Sequence, residues 1–579
     1  MNLWHFLVGF LAQVSQSQFT SKVSQAIPGA IISYKETIAC SSTSTVVSYS
    51  GYVRWNSIVV PGAAYNTSTF FWFFPARNPA GANLALYLAG GPGEASSFAA
   101  LTENGPCVAQ KDGNTAIPNP FSFNQNAHVL YVDQPNQVGF SYDEIVDGVF
   151  NVFGGQAGSG AIEVGATRSN MTNIKGKFPS QNPDTTARTS TMAAKSMCFG
   201  YGGMYVATLA TYILRTNLKL PVKAGATFKD IFIPSVGITN GCIDIEAQGS
   251  AYASLPYNNT YNNANGTPFR LYSKAQYDAI VRTSKGPGGC FDQVQECRKL
   301  RAANDPRDEG KDEATNTACV TAAGICNKSL LGPFFSTAVA RSQFDIGLNP
   351  ANPNPPTYAA SFLNKPSTRD SLGVPAGLNY TLYSSTVFNN FYGGTGDPMR
   401  KGSDDLMYLL NQDTRVAMIY GDRDWRCNWL GAENLTLSLP WSPYPSSTGR
   451  FTSSGYVPFQ LPSSTRPTAV TRQHTLLSFT RVFDAGHAVS WYQPATVQAI
   501  FNRVIRDLDV ATGIDPGSRT ITKGKPDSWS WRSVLPAPPS TVECSLWNVA
   551  SSCTQAQVGA LEAGTAKVDG GWRVVWPVK

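Results

Sequence analysis

Five short, unbroken apolar runs set the first constraint on this chain. LALYLA (84–89), HVLYVD (128–133), DIFIPSVGI (230–238), RVAMIYG (415–421) and LLSFTRVF (476–483) are each bounded by turn-forming residues. They are strand-length, and apolar side chains on successive residues leave neither face suited to water, so each needs cover on both sides. Segments with helical spacing alternate with them: DTTARTSTMAAKSM (184–197), MYVATLATYILRT (204–216) and ATVQAIFNRVIRDL (495–508). That alternation predicts an α/β fold with a mostly parallel central sheet. VVSYSGYVRW (46–55) and TSTFFWFF (67–74) read as an antiparallel pair opening the sheet.

Residues 245–345 break the pattern, being rich in Asn, Gly, Pro and Cys, and read as an inserted cap. This divides the chain into a signal-like segment (1–18), a first core part (19–244), the cap (245–345), a second core part (346–526) and a Trp/Ser/Pro-rich tail (527–579). LWHFLVGFLA (3–12) has the length of a signal-peptide apolar region, and no run is long enough for a membrane helix. Sequons begin at Asn66, Asn170, Asn258, Asn265, Asn327, Asn379 and Asn434, which together with the apolar start favour the secretory route. Eleven cysteines agree with an oxidising compartment. Cys290 and Cys297, and Cys319 and Cys326, are each seven apart, so a nested pairing of Cys290–Cys326 around Cys297–Cys319 would staple the cap. Cys544 and Cys553 would close a loop in the tail, and the odd count leaves one thiol over. No C-x-x-C pair exists and none of the four histidines is near these cysteines, which argues against a metal site. The formal charge of +7 is spread without a Lys/Arg block, which argues against a nucleic-acid partner.

Three loops that follow strands carry the chemistry, because open α/β sheets gather their functional groups at strand C-terminal ends. LAGGPGEASS (88–97) exposes backbone N–H groups at Gly90-Gly91-Pro92-Gly93, a turn able to supply half of an oxyanion hole. GDRDWRCNWLG (421–431) offers Asp422 and Asp424, one to orient an imidazole and the other to cap the turn. DAGHAVSWYQP (484–494) offers His487. Of the other histidines, His5 lies in the signal-like segment, His128 opens a strand and His474 lies before one, so His487 is the candidate base.

These segments resemble the serine carboxypeptidase family, particularly its fungal secreted members. LAGGPGEASS is similar to the family's N-G-G-P-G-x-S-S turn, and TENGPC (102–107) to its E-x-G-P segment. NPFSFNQNAHVLYVDQPNQVGFSY (119–142) resembles its longest signature, while GDRDWRCNWLG and AGH match its aspartate and histidine loops. The resemblance implies an α/β-hydrolase fold with a Ser-Asp-His triad, no cofactor, and peptide or protein C-termini as substrate. It places the aspartate at Asp424 and the base at His487, the oxyanion N–H groups at Gly91 and Tyr201, and the grip on the substrate carboxylate at Glu103. It implies a secreted protein, with the vacuole as alternative, and leaves the oligomeric state open.

The chain departs from that pattern in two places. Ala89 stands where the family has an asparagine that hydrogen-bonds the substrate carboxylate. In KSMCFGYGGMYV (195–206), aligned on the family's G-E-S-Y-[AG]-G-x-Y elbow, Gly200 holds the position of the nucleophilic serine and Phe199 that of the glutamate. No G-x-S-x-G occurs anywhere, and Ser196 falls on the expected 184–197 helix. Met197 is only three residues from Gly200, whereas a parallel crossover needs roughly a dozen. The strand before the elbow is therefore expected to be missing with its serine. A gene-model or splicing error in an ordinary enzyme would produce this, as would a noncatalytic pseudoenzyme; an acyltransferase or esterase on the same scaffold is a third reading.

Overall fold

The computed structural model describes residues 19–24, 29–40, 47–55, 66–152, 161–164, 173–181, 201–217, 232–337, 341–350, 355–441, 450–515, 520–531, 533–535, 542–546, 548–570 and 573–576. The signal-like segment, the expected 184–197 helix, Gly200, Cys198 and the Asn170 sequon lie outside the described residues.

Strands β1 (Thr20–Val23), β2 (Ile31–Thr37), β3 (Ser48–Trp55), β4 (Thr67–Phe74), β5 (Asn83–Tyr87) and β6 (Ala127–Val132) form one sheet in the order β1-β2-β3-β4-β6-β5. β3 and β4 pair antiparallel, as their sequences lead one to expect, and β5 runs parallel to β6. After it, β7 (Ile145–Asn151), β8 (Ala161–Val164) and β9 (Asn173–Pro179) make a three-stranded antiparallel sheet that the apolar pattern did not announce. A five-stranded sheet comes next, from β10 (Ser235–Thr239), β11 (Arg415–Gly421), β12 (Val457–Phe459), β13 (Ala469–His474) and β14 (Leu477–Val482), in the order β10-β11-β14-β13-β12. β10, β11 and β14 are parallel to one another, while β13 and β12 add antiparallel edges. The expected mostly parallel central sheet is thus corrected among the described residues: the strands fall into two large sheets in which antiparallel pairs outnumber parallel ones, because the first is built largely from sequential antiparallel strands. All seven residues of β11 are buried, which is the cover its unbroken apolar run demanded. β12 lies inside the stretch 442–467, which reads from sequence as a polar loop.

The helices that pack against the sheets or build the insertion include α1 (Ser96–Thr102), α2 (Gly202–Asn217), α3 (Lys274–Lys285), α4 (Cys290–Asn304), α5 (Glu313–Cys326), α6 (Trp429–Ser438) and α7 (Pro494–Ile505). α2 is the helix read at 204–216. Its start joins the two large sheets: a Cβ on Gly202 would sit 3.2 Å from the Leu88 carbonyl oxygen just past β5, and one on Gly203 would sit 2.9 Å from Gly241 just past β10. Among the described residues no strand pairs with both β5 and β10.

Between β10 and β11 the chain is largely helical. α3 starts with a reciprocal cap, Ser273 accepting from the Gln276 N–H while the Gln276 side chain accepts from the Ser273 N–H. α4 and α5 are joined by the two nested disulfides, Cys290–Cys326 and Cys297–Cys319. A spacing of seven is close to two helical turns, so both cysteines of each helix face the partner, and all four are buried. Arg400 fixes this hairpin from outside. It is 1% exposed, donates from Nε to Asp308 Oδ1 at 2.6 Å and from Nη1 to Asn316 Oδ1 at 2.9 Å, and pairs with Asp305. Three further disulfides, Cys40–Cys107, Cys242–Cys427 and Cys544–Cys553, leave Cys198 as the cysteine outside these pairs.

Replacing Arg400 leaves the buried Asp305 without a counter-charge and leaves the half-buried Asp308 with Lys401 alone, at 3.2 Å. Arg400→Ala is expected to lower the unfolding free energy by about 3–5 kcal/mol, measured by urea denaturation, and a change under about 1 kcal/mol would mean that water enters and relieves the pair.

Candidate active site

The site forms where the parallel strands end. β11 runs into the loop holding Asp422 and Asp424, and β14 into the loop holding His487. The two loops touch because Gly421 has no side chain: a Cβ there would fall 2.3 Å from the Gly486 carbonyl oxygen and 2.6 Å from that of Ala485. The His487 N–H donates to the Phe344 carbonyl at 2.8 Å, which sets the imidazole's backbone.

His487 Nδ1 lies 2.7 Å from Asp424 Oδ2. Asp424 is fully buried, yet its carboxylate is well supplied with donors. The Asn240 side-chain amide donates to Oδ2 at 2.7 Å, the Arg426 N–H to Oδ1 at 2.8 Å and the Cys427 N–H to Oδ2 at 3.2 Å. With Nδ1–H committed to a carboxylate, the imidazole takes the tautomer in which Nε2 is the basic nitrogen. Asp422 does not cap the turn as expected; Asp424 itself accepts from the N–H groups of its own loop. Asp422 is fully buried, 3.8 Å from the Arg481 guanidinium, and accepts from the Ala485 N–H at 3.5 Å, so it holds the two loops together. Asn240 escaped the sequence reading. It ends β10 with φ 44°, a left-handed conformation that asparagine tolerates, and its Oδ1 also accepts from the Gly421 N–H at 2.9 Å. Its position just past an apolar strand, on the edge where Asp424 sits, was the available signal.

The GGPG turn follows β5 on the neighbouring sheet. Gly91 has φ 102°, and a Cβ would come within 2.8 Å of the Glu94 nitrogen, so only glycine fits. α1 then begins at Ser96. Asp133 anchors it, accepting from the Ser97 N–H and hydroxyl, both at 2.9 Å, and from the Phe140 N–H at 3.1 Å. The D-Q-P and G-F-S-Y residues thus act as a brace for the turn. Asn119 likewise braces the end of α1, donating to the Glu103 and Gly105 carbonyls at 3.2 and 2.9 Å.

Gly91, Glu94, Glu103, Tyr201 and His487 line one cleft of about 2120 Å³. Tyr201 precedes α2, packs edge-on against Tyr205 and Phe391, and its hydroxyl donates to Asp397. Glu103 is buried, and burial followed by the nearby Glu94 charge holds its pKa well above the usual carboxylate value. Glu94, which the sequence reading passed over, also has a raised pKa through burial, partly countered by His487. The tail reaches the cleft as well, through Leu546, Asn548 and Val549.

His128 and His474 lie elsewhere: His128 Nδ1 accepts from the Ala76 N–H at 3.2 Å, and His474 is buried in β13. Asp424, Cys427 and His487 offer three ligand atoms within 4.8 Å of one another, but the Cys427 sulfur is bonded to Cys242 and cannot act as a thiolate. Of the sequon asparagines, Asn66, Asn258, Asn265 and Asn327 are exposed, and Asn379 and Asn434 are half-buried.

A buried aspartate bonded to a half-buried histidine, at the C-terminal edge of parallel strands and on a cleft shared with a glycine turn, is an arrangement that hydrolases working through a triad also have. The serine carboxypeptidase family model matches residues 40–507, and the chain belongs to that family. It is 34% identical over 576 residues to Carboxypeptidase S1 homolog A of Arthroderma benhamiae, covering 93% of this chain and 86% of the relative. Carboxypeptidase S1 of Penicillium janthinellum is 28% identical over 477 residues, covering 82% and 98% of the two chains. The vacuolar serine-type carboxypeptidase ATG42 of Saccharomyces cerevisiae is 26% identical over 471 residues, covering 78% and 77%. Among solved structures, the prohormone-processing carboxypeptidase Kex1 of Saccharomyces cerevisiae shares the fold with a TM-score of 0.54 at 18% identity, covering 83% of this chain and 95% of that one. The fold is the α/β-hydrolase fold expected from the sequence.

The raised pKa of Glu103 has a testable sign. The folded chain binds this proton more tightly than the unfolded chain. The resulting stability is fully present below the ordinary value of 4.5 and is lost as pH rises through the higher folded value. Glu103→Gln, which stays neutral, should therefore gain stability relative to the parent as pH rises above the ordinary value of 4.5, read from urea midpoints; the opposite trend would show that Glu103 is charged in the fold. Asn240→Leu should cost about 1–3 kcal/mol by the same measurement, because it leaves the Gly421 N–H buried and removes a donor from Asp424.

Proposed function

We propose that this chain is of the serine-type carboxypeptidase kind, built to release C-terminal residues from peptides or proteins through an acyl-enzyme, and that as written it is inactive. The observation that carries the reading is the Asp424–His487 pair opening onto the same cleft as Gly91, Tyr201 and the buried Glu103.

In the complete reaction a serine hydroxyl before Tyr201 attacks the last peptide carbonyl while His487 Nε2 takes its proton. Asp424 stabilises the imidazolium through Nδ1. The N–H groups of Gly91 and Tyr201 receive the charge that develops on the carbonyl oxygen. His487 then returns the proton to the departing amine, which frees the C-terminal amino acid, and water opens the acyl-enzyme by the same route. Glu103, kept protonated, donates a hydrogen bond to the substrate's terminal carboxylate. That hydrogen bond requires the carboxyl to stay neutral, so activity is expected to favour acid conditions. Secretion after removal of residues 1–18, or delivery to the vacuole, fits the sequons, and glycans are proposed on their asparagines.

Gly200 at the serine position favours a second reading, a noncatalytic peptide binder on the same fold. An esterase or acyltransferase is a third; Glu103 argues for peptide carboxylates over neutral acyl donors.

Sequencing the transcript across 195–205 separates the first two readings: the enzyme reading expects added residues carrying a strand and a G-x-S-x-G, and their absence leaves the binder. The purified chain as written should form no adduct with a serine-directed fluorophosphonate, and its turnover of an N-acyl dipeptide should lie about 10⁶-fold below a repaired chain. A labelled serine found by mass spectrometry would overturn the inactivity.

A further inference from the structure

Arginines packed into this protein come with partners. Arg400 has Asp305 and Asp308, Arg415 has Asp507, Arg423 has Asp484 and Arg481 has Asp422. Arg503 has no such ion pair, but donates to the carbonyls of Val510 and Ala511 at 2.8 and 2.7 Å. These are the arrangements expected of guanidinium groups drawn out of water.

Arg426 differs. It follows Asp424 by two residues and precedes the disulfide-bonded Cys427, so its backbone is fixed by the N–H bond to the Asp424 carboxylate and by the Cys242–Cys427 link. Its side chain is half-buried and lines the cleft that His487 lines. The groups around it are phenols: Tyr392, Tyr252 and Tyr383. Among the described residues no carboxylate lies within ion-pair distance of Arg426 and no backbone carbonyl receives its guanidinium. Burial works against its charge, but Tyr392 accepts a hydrogen bond from the guanidinium and the arginine's pKa stands above the usual value, so it stays protonated throughout the accessible pH range. The cleft therefore carries a fixed cation, held on a rigid loop, that pairs with no carboxylate among the described residues. A guanidinium in that setting binds a carboxylate by two parallel hydrogen bonds better than any neutral group.

We infer that Arg426 is a specificity-determining residue that receives the side-chain carboxylate of an aspartate or glutamate near the C-terminus of a bound peptide. This rests on the peptide-cleft reading, in which the terminal carboxylate is taken at Glu103 and another anion is needed to meet Arg426. The docked acid completes an ion pair that the protein leaves open. A lysine side chain in the same place meets like charge and is rejected.

Because the chain as written lacks the serine, the test reads binding. N-benzyloxycarbonyl dipeptides Glu-Ala, Ala-Glu, Gln-Ala and Lys-Ala are titrated by calorimetry into the full chain at about pH 6, where the glutamate side chain is ionised. The better-placed glutamate peptide should bind roughly 10- to 100-fold more tightly than Gln-Ala, and Lys-Ala more weakly than either. Arg426→Met should erase the advantage of glutamate and leave Gln-Ala unchanged, while Arg426→Lys should keep part of it. The ranking on the parent chain needs no variant, so a poorly folded Arg426→Met does not remove the test. Equal binding of all four peptides, or a loss in Arg426→Met as large for Gln-Ala as for the glutamate peptides, overturns the inference, the latter by assigning Arg426 to the terminal carboxylate. Binding of none of the four overturns the peptide-cleft reading and this inference with it.

Discussion

A carboxylate without water must be given donors, and Asp424 is where this fold meets that demand. Its four donors come from β10 (Asn240), from its own loop (Arg426 and Cys427) and from the loop after β14 (His487). Each of three parallel strands therefore ends at one oxygen pair. A shift of any of them by one residue would leave a buried charge underserved, at a cost comparable to a large share of a domain's stability. The requirement fixes the imidazole, the strand register and the close passage at Gly421 together. These bonds hold the Asp424–His487 pair in place, the preorganisation that a general base would need if reorientation is not to add to the barrier.

The parts legible in the sequence are those where burial is two-sided or the backbone has one option. β11 and β14 are covered on both faces, so their apolar runs are unbroken and their ends could be placed within a residue. Asp424 and His487 followed, because each lies a few residues beyond such an end. The nested cysteines were legible because a spacing of seven on facing helices admits one simple pairing. β7 to β9 were not: IVDGVFN and NIKGKFP mix glycine, charge and apolar residues, since that small sheet is half-exposed and its strands need only local partners. Long-range pairs such as Cys40–Cys107 and Cys242–Cys427, separated by 67 and 185 residues, leave no local trace at all. Glu94, Asn240 and Arg426 were missed for a related reason. Each is an ordinary polar residue in a turn, and only its neighbours in space give it a role.

The two sheets meet through the start of α2 rather than through a described strand. Gly202 abuts the carbonyl of Leu88 on one side and Gly203 approaches Gly241 on the other, so the helix needs small residues there whatever precedes it. The motif glycines around Tyr201 thus have a packing duty independent of catalysis.

The tail carries a different consequence. Its small apolar cluster of Cys544, Val549, Leu561 and Val574 is closed by the Cys544–Cys553 link and rests against Val152, and from there Leu546 and Val549 form part of the cleft wall. The family match ends at residue 507, well before the tail side chains of this cluster. Asp424 and His487 lie within the matched residues and this stretch of the cleft wall lies beyond them, so a change in the tail reshapes the wall while that pair stands still.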